Sequence, residues 1–204
     1  QKEFILSGMN LAFLGYYCND ELKPHRNLFH WPDGVWIKRL VNINKIPGRD
    51  LLKELKLPNN IKSITILGNI SENSKNYLKK KFKRKIYHKN LPFGSIEKIK
   101  KTKITLKKNT LTFITLPTPK QEKLAFEIIK NNRNSKIICI GASIGIASGD
   151  EKEVPTFLKD YEFVWRLRSD FFRRLKRLFE TLFYYTKENI LDKKINEIRF
   201  LKID

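Results

Sequence analysis

Residues that bind metals or form disulfides are scarce in this sequence. Its 204 residues include two cysteines and three histidines, and none of them occurs at a spacing typical of a metal site. Cys139 lies in an apolar run, which predicts a thiol within the core. The lack of a cysteine framework favours a reducing, cytoplasmic environment.

Long hydrophobic runs and the common catalytic motifs are also absent. No apolar run reaches the roughly 18 residues that a membrane-spanning helix needs, and the apolar run at 4–6 is too short for the core of a signal peptide. The sequence contains no P-loop, no His-Glu-x-x-His, no Gly-x-Ser-x-Gly and no Asp-x-Asp pair. We therefore predict no metal and no cofactor, so that an enzyme built on this chain would work with one carboxylate and several cations.

Acidic residues are outnumbered two to one by basic residues. Lys and Arg total 42 against 21 Asp and Glu, which gives a net charge of +21. Such a surface attracts nucleic acid, an acidic membrane or phosphorylated substrates. A nucleic-acid-binding protein is therefore one hypothesis. The helix-turn-helix, RNA-recognition and zinc patterns that would support it are missing, so nucleic acid is not the partner we expect.

The central part of the chain predicts a β-α-β unit. Two short apolar runs typical of buried strands, 111–116 and 137–140, flank a segment whose apolar residues recur at helical spacing. The two strands should be parallel neighbours joined by a right-handed crossover. Further strands are predicted at 3–7, 27–30, 62–68 and 85–88, the last at a sheet edge, with a turn at 8–10 and a loop at 141–149.

The predicted fold class is accordingly α/β: a Rossmann-like, mostly parallel sheet flanked by helices, with a basic amphipathic helical appendage at its carboxyl end. We place the boundary so that residues 1–154 form the α/β domain and 155–204 the helical segment. The strongest helical pattern, at 161–185, combines aromatics with arginines, which suits an anionic membrane surface. Its arginines include Arg168, Arg173, Arg174 and Arg177. A helix packed on its own domain with a solvated basic face is the alternative.

Polar residues follow the strands of the β-α-β unit, at the edge where open α/β sheets bind ligands. The second strand leads into Gly141 and a glycine-rich loop that could approach a ligand closely. Gly68 follows another strand and could admit a phosphate at the next helix amino terminus, but a single glycine is weak evidence for such a site and packing explains it better. The residues that follow the first strand of the unit are Pro119, Lys120, Gln121 and Glu122.

Asp33 stands close to the end of the strand predicted at 27–30, within the sequence Trp31-Pro-Asp-Gly34. An apolar run with helical spacing follows at 35–40. This order places a carboxylate at the same edge of the sheet, where one carboxylate suffices as a general base. Pro, Asp and Gly are also ordinary turn residues, and Asp is a good helix cap, so a purely structural turn is the alternative.

Three segments together resemble the WecG/TagA/CpsF glycosyltransferase family. The first is the Pro-Asp-Gly sequence followed by Ile-Pro-Gly-Arg-Asp-Leu at 46–51, and the second is Leu-Pro-Thr-Pro-Lys-Gln-Glu at 116–122. The third runs from Gly141 through Gly149, Pro155 and Trp165 to the basic stretch at 173–177. The order is the family's, and nearly the whole chain is covered. The sequence departs from the family at Gly145 and Val164, where an Asp and a Glu are common.

The resemblance implies an inverting glycosyltransferase. It would move an N-acetylmannosamine-type or related sugar from a UDP-sugar to a polyprenyl-diphosphate-linked saccharide, in bacterial cell-wall or capsule synthesis. Such an enzyme would lie peripherally on the inner face of the cell membrane, and homo-oligomer formation is left open. A non-catalytic membrane scaffold in polysaccharide assembly is an alternative.

The resemblance also implies roles for individual residues. Asp33 corresponds to the family's proposed base, and Gln121 to a residue of its substrate site. Ser7 and Asn10 are rough counterparts of a Thr and an Asn near the family's first strand. The basic carboxyl-terminal segment would dock on the membrane and close over the active site. Its arginines could also stabilise the departing diphosphate.

Overall fold

The computed structural model describes residues 3–23, 25–34 and 43–151, together with Leu175 and Phe179. The helix predicted at 35–40 lies outside these residues. So do the four arginines named above and, apart from Leu175 and Phe179, the helix predicted at 161–185. The strands are β1 (Phe4–Met9), β2 (Leu28–Pro32), β3 (Ser63–Leu67), β4 (Lys85–Lys89), β5 (Thr110–Ile114) and β6 (Lys136–Cys139). The helices are α1 (Leu11–Cys18), α2 (Gly48–Glu54), α3 (Glu72–Phe82), α4 (Ile96–Lys100), α5 (Lys120–Asn131) and α6 (Ser143–Ser148).

The six strands form one sheet in the order β2-β1-β6-β5-β3-β4, and every neighbouring pair is parallel. The α/β class, the β5-α5-β6 unit and the edge position of β4 are therefore confirmed. Lys85 and Lys89, at the two ends of β4, are exposed. Charged side chains of this kind protect a free sheet edge from pairing with another chain.

The core consists of two apolar layers, one on each face of the sheet. Successive strand residues point to opposite faces, so Ile5 of β1 joins the first layer and Leu6 the second. Helices α1, α4 and α5 cover the first layer, whereas α2, α3 and α6 cover the second. The neighbouring strands β1 and β6 are thus followed by helices on opposite faces. Such a divergence opens a crevice at the carboxyl ends of the strands.

Two local predictions are wrong. In place of the turn expected at 8–10, Gly8 and Met9 continue β1, pairing with Trp31 and Pro32 of β2, and Asn10 caps α1. The loop expected at 141–149 contains helix α6. Its Ile144 and Ile146 are buried, and this burial stabilises a helix that its one glycine and two serines would not favour alone.

Candidate active site

The carboxyl ends of the strands carry most of the residues that the sequence singled out. Ser7 lies in β1, Asp33 directly follows β2, and Gly141 follows β6. Gln121 and Glu122 lie in the first turn of α5, which follows β5. The structure brings these five residues to the two sides of the β1–β6 crevice.

Glu122 is the centre of a buried polar group that we call the Glu122 cluster. Its side chain is 0% exposed. Its Oε1 accepts hydrogen bonds from Ser7 Oγ at 2.7 Å, Gln121 Nε2 at 2.9 Å and Thr118 Oγ1 at 3.2 Å. The cluster thus joins β1 to the start of α5 and consists of Ser7, Thr118, Gln121 and Glu122.

The second carboxylate oxygen of Glu122 has no such partners. Oε2 is buried and makes no hydrogen bond within the described part of the chain. Burial raises the pKa of Glu122 above its ordinary value, and the hydrogen bonds from its neighbours only partly oppose this rise. Burial also raises the pKa of the Cys139 thiol, with a smaller contribution from Glu122. Cys139 is therefore an inert core residue, as the sequence predicted.

Gln121 connects the Glu122 cluster to the end of β6. Its Nε2 donates to Glu122 and, at 3.1 Å, to Thr118 Oγ1, while its Oε1 accepts the Gly141 N–H at 3.2 Å. Gly141 has φ of +56°, a left-handed conformation that glycine adopts without the cost of a Cβ. The side chain of Gln121 is only 5% exposed, so its amide shapes this turn from within.

Asp33 lies on the other side of the crevice and is half-buried. Its backbone N–H donates to the Met9 carbonyl at 3.0 Å, and its Oδ1 accepts the Gly48 N–H at 2.9 Å. A Cβ on Gly8 would lie 2.9 Å from the Cβ of Asp33 and 3.0 Å from its Oδ2. Glycine in β1 therefore leaves the space that the Asp33 carboxylate occupies.

The two sides of the crevice meet through α2 and α6. A Cβ on Gly48, the first residue of α2, would lie 3.2 Å from the Cβ of Ser143, the first residue of α6. The turn at Gly141 leads directly into α6. The backbone amide that holds Asp33 is thus packed against the helix that follows the Gly141 turn.

Asn10 and His30 support this region. Asn10 caps α1, its Oδ1 accepting the Phe13 N–H at 3.1 Å. It also lies beside Gly34, since a Cβ on Gly34 would be 3.4 Å from the Asn10 Cα. His30 is buried, and its Nδ1 lies 3.2 Å from the Ser7 carbonyl oxygen. Burial lowers the pKa of His30 to about 4, against the opposing effect of this hydrogen bond, so the ring is neutral at pH 7.

Pro119 and Lys120 face a different space. They line a cleft of about 390 Å³ between α1, α4 and α5. Lys120 Nζ donates to the Gly94 carbonyl oxygen at 2.6 Å, and the neighbouring Lys123 pairs with Glu21 at 2.9 Å. These residues are close to the Glu122 cluster in sequence but turn away from it, because they lie on other faces of α5.

Gly68 is separated from the crevice by β5. Its φ is +123°, and the side chain of Thr115 lies where a Cβ would be. The packing of the Thr115 side chain against Gly68 therefore explains why a glycine stands at this position.

The amino terminus of the following helix, α3, already holds an anion from the chain itself. Asp150 accepts hydrogen bonds there from Asn73 Nδ2 at 2.8 Å, Ser74 Oγ at 2.5 Å and Ser148 Oγ at 2.9 Å, and also from Ser71 Oγ. These hydrogen bonds hold the pKa of the Asp150 carboxyl well below its usual range. We call this group the Asp150 cluster; its members are Ser71, Asn73, Ser74, Ser148 and Asp150.

Sequence reasoning missed several residues that shape the site. Gly8 and Gly48 matter because other side chains approach their Cα atoms, and Thr118 and Asp150 because of long-range hydrogen bonds. Ser71 is a residue type favoured as a helix N-cap, but the sequence gives no indication that Asp150 bonds to this turn. Among the described residues, no group of three His, Cys, Asp or Glu side chains could hold a metal ion. Within the same residues, no helix has the length and apolarity to cross a membrane.

The six parallel strands, with helices on both faces and polar side chains at the carboxyl ends of the strands, define a protein of the α/β class, in which ligands bind at that edge of the sheet. The sequence model of the glycosyl transferase WecG/TagA/CpsF family matches residues 30–197. Since this match covers most of the chain, the protein belongs to that family and is a glycosyltransferase. The family serves the synthesis of cell-surface polysaccharides. Among curated individual proteins, none matches the chain significantly.

Proposed function

We propose that the protein is an inverting, metal-independent glycosyltransferase whose general base is Asp33. The donor is a UDP-sugar of the N-acetylmannosamine type, and the acceptor is a saccharide linked to polyprenyl diphosphate. The observation that supports this proposal most directly is the position of Asp33. Its carboxylate accepts a hydrogen bond from the Gly48 amide at the carboxyl edge of the sheet, the same edge at which the Gly141 turn follows β6.

The proposed step needs a single carboxylate. The acceptor hydroxyl gives its proton to Asp33 as its oxygen attacks the anomeric carbon. The bond from that carbon to the diphosphate oxygen breaks, and UDP leaves with the electron pair from the face opposite the attack. The configuration of the sugar carbon is therefore inverted. Fixing the carboxylate before the acceptor arrives lowers the barrier, because less orientation has to be achieved in the transition state.

The departing diphosphate develops negative charge that fixed cations can stabilise. The sequence has no Asp-x-Asp pair to hold a divalent metal near this group. We assign the task to the basic segment that contains Arg168, Arg173, Arg174 and Arg177, whose guanidinium groups suit phosphate oxygens. The same segment would hold the enzyme on the inner face of the cell membrane, where a polyprenyl-linked acceptor resides. The net charge of +21 agrees with such a surface.

Release of UDP tests this proposal. Wild type and Asp33→Asn are compared with a panel of UDP-sugars and a lipid-diphosphate saccharide acceptor. Asn retains the shape and the Gly48 contact but cannot take a proton, so we expect a loss of at least about 100-fold in acceptor-dependent release. Glu54→Gln is the matched control, since Glu54 is an exposed carboxylate at the end of α2.

Equal release by Asp33→Asn and wild type would exclude Asp33 as the base. If the folded wild type released no UDP with any donor and acceptor, the scaffold hypothesis would gain support. Nanomolar binding of labelled nucleic acid with a steep salt dependence would instead favour the nucleic-acid hypothesis.

A further inference from the structure

We infer that Glu122 is a positioning residue, which acts through the amide of Gln121 to fix the Gly141 turn and, beyond it, the backbone amide that holds Asp33. This inference rests on the proposed function of Asp33 and assigns to Glu122 a role distinct from contact with substrate. Its basis is a continuous set of contacts from a buried carboxylate to the carboxylate at the crevice.

The first part of this path is a set of hydrogen bonds that permits only one orientation of the Gln121 amide. Because Glu122 Oε1 accepts from Gln121 Nε2 at 2.9 Å, the amide of Gln121 cannot rotate by half a turn without placing its oxygen against the carboxylate. The carbonyl oxygen of Gln121 is thereby directed to the Gly141 N–H at 3.2 Å, a donor that it shares with the Ile114 carbonyl oxygen of β5, also at 3.2 Å. Ser7 Oγ, at 2.7 Å, keeps Glu122 in place from the β1 side.

The second part of the path is packing. The turn at Gly141 starts the segment that becomes α6, and Ser143 at the start of α6 lies directly against Gly48. The Gly48 N–H donates to Asp33 Oδ1 at 2.9 Å. A change in the Gly141 turn would move Ser143, then Gly48, and so the orientation of Asp33. A displacement of about 1 Å at a reacting group can cost about 100-fold in rate.

Direct contact with substrate does not fit Glu122. Its side chain is fully buried, and its Oε1 already accepts three hydrogen bonds from protein groups. Gln121 is nearly as buried, and both ends of its amide bond protein groups. The two residues therefore support the wall of the crevice from behind.

The test is a double-mutant cycle, in which kcat/KM is measured for wild type, for each of two single variants and for the double variant. Glu122→Met removes the acceptor at nearly constant volume, and Gln121→Ala removes the amide. We expect a loss of about 100-fold for Glu122→Met, and a double variant no slower than Gln121→Ala alone. Glu122→Gln should stay within about threefold of wild type, because its amide oxygen can accept from the same donors. Glu127→Gln, on an outer face of α5, is the matched control.

A second measurement does not depend on turnover. The backbone amide resonances of Gly141 and Gly48 should shift in Glu122→Met and Gln121→Ala, and remain in place in Glu127→Gln. If Glu122→Met does not fold, Glu122→Asp replaces it, since it withdraws the carboxylate by one methylene and keeps the charge. An inactive wild type with these shifts present would refute the proposed function and leave the positioning path intact.

Three results would overturn the inference. Losses that multiply in the double variant would show that Glu122 and Gln121 act independently. A Glu122→Gln variant that folds and is as inactive as Glu122→Met would show that an oxygen accepting the same hydrogen bonds does not suffice, so that positioning of Gln121 is not the role of Glu122. Unchanged Gly141 and Gly48 resonances in Glu122→Met would show that no positioning path exists.

Discussion

The Glu122 cluster and the Asp150 cluster contain the same kinds of hydrogen-bond donors, but the pKa of the central carboxyl group is shifted in opposite directions. Each surrounds one carboxylate with hydroxyl groups and a side-chain amide. The pKa of Asp150 is lowered by its hydrogen bonds, whereas the pKa of Glu122 is raised by burial despite its hydrogen bonds. The difference shows that solvent access, more than the number of donors, decides which protonation state a carboxyl group favours here.

The two clusters also differ in what they join. The Asp150 cluster ties the end of α6 to the start of α3 near the surface. The Glu122 cluster ties β1 to α5 inside the core. A polar group in the core has no water to replace a lost partner, so its removal should affect stability more.

The largest expected effect is on stability at the buried cluster. Glu122→Leu leaves the Ser7 hydroxyl without its acceptor, and we expect it to lower the free energy of unfolding by about 3 kcal/mol. Urea unfolding at neutral pH measures this change. Glu127→Leu, on an outer face of the same helix, should change it by less than about 0.5 kcal/mol. Equal losses in the two variants would remove the distinction between buried and surface carboxylates.

His30 is a second buried ionisable group, and it is a base whereas Glu122 is an acid. Its folded pKa of about 4 lies below the ordinary value of 6.5, so the unfolded chain binds more protons between these values. The stability that the neutral ring contributes is complete above pH 6.5 and is lost as pH falls towards 4. At pH 5 we expect His30 alone to lower the free energy of unfolding of wild type by about 2 kcal/mol relative to pH 7.

His30→Gln should lack this loss, which urea unfolding at the two pH values detects. His25→Gln is the matched control, because the pKa of His25 is also lowered, mainly by burial, but its ring is far less buried. A wild-type pH dependence that persists in His30→Gln would show that other groups cause it.

The third prediction concerns the pH dependence that Glu122 itself imposes. Its folded pKa lies above the ordinary 4.5, so its contribution to stability is complete below pH 4.5 and is lost as pH rises through the folded pKa. Glu122→Gln cannot ionise. The unfolding free energy of wild type should therefore fall relative to that of Glu122→Gln as pH rises from about 4 to about 8. A constant difference over this range would mean that burial does not raise the pKa.

The smallest effect is expected at the Asp150 cluster. Its folded pKa lies below the ordinary 3.8, so its contribution is present above pH 3.8 and is lost as pH falls further. Asp150→Asn should lower the midpoint temperature slightly at pH 7 and match wild type at strongly acidic pH. Glu151→Gln, at the adjacent position, is the control. If Asp150→Asn lowered the midpoint temperature more than Glu122→Leu does, the buried cluster would not be the one that matters more for stability.

The success of the sequence predictions depended on how local each feature was. The strands at 62–68 and 137–140 were found because their apolar runs are continuous, and their parallel pairing followed from the helix between 111–116 and 137–140. Helix α6 was missed because its sequence, with two serines and one glycine in six residues, favours a loop, whereas the burial of Ile144 and Ile146 stabilises a helix.

The residues of the candidate site also differ in whether the sequence alone could identify them. Asp33, Gln121 and Gly141 were singled out because each follows a strand at the carboxyl edge, and a parallel sheet brings such positions to one rim. Lys120 was grouped with Gln121 by sequence, but helical geometry turns it to another face of α5. The domain boundary at 154 and the roles of the four arginines concern residues outside those that the structure describes, and they stay predictions.

The sequence by itself determined the α/β class, the β-α-β unit, the basic character of the surface and the family to which the chain belongs. These properties follow from periodicity, composition and motif order, which are all local or additive along the chain. Only the tertiary structure decided that Ser7, 115 residues before Glu122, bonds it, and that Gly8 leaves space for Asp33. Such contacts depend on which distant segments the sheet brings together, and burial, which raises the pKa of Glu122, exists only once they meet.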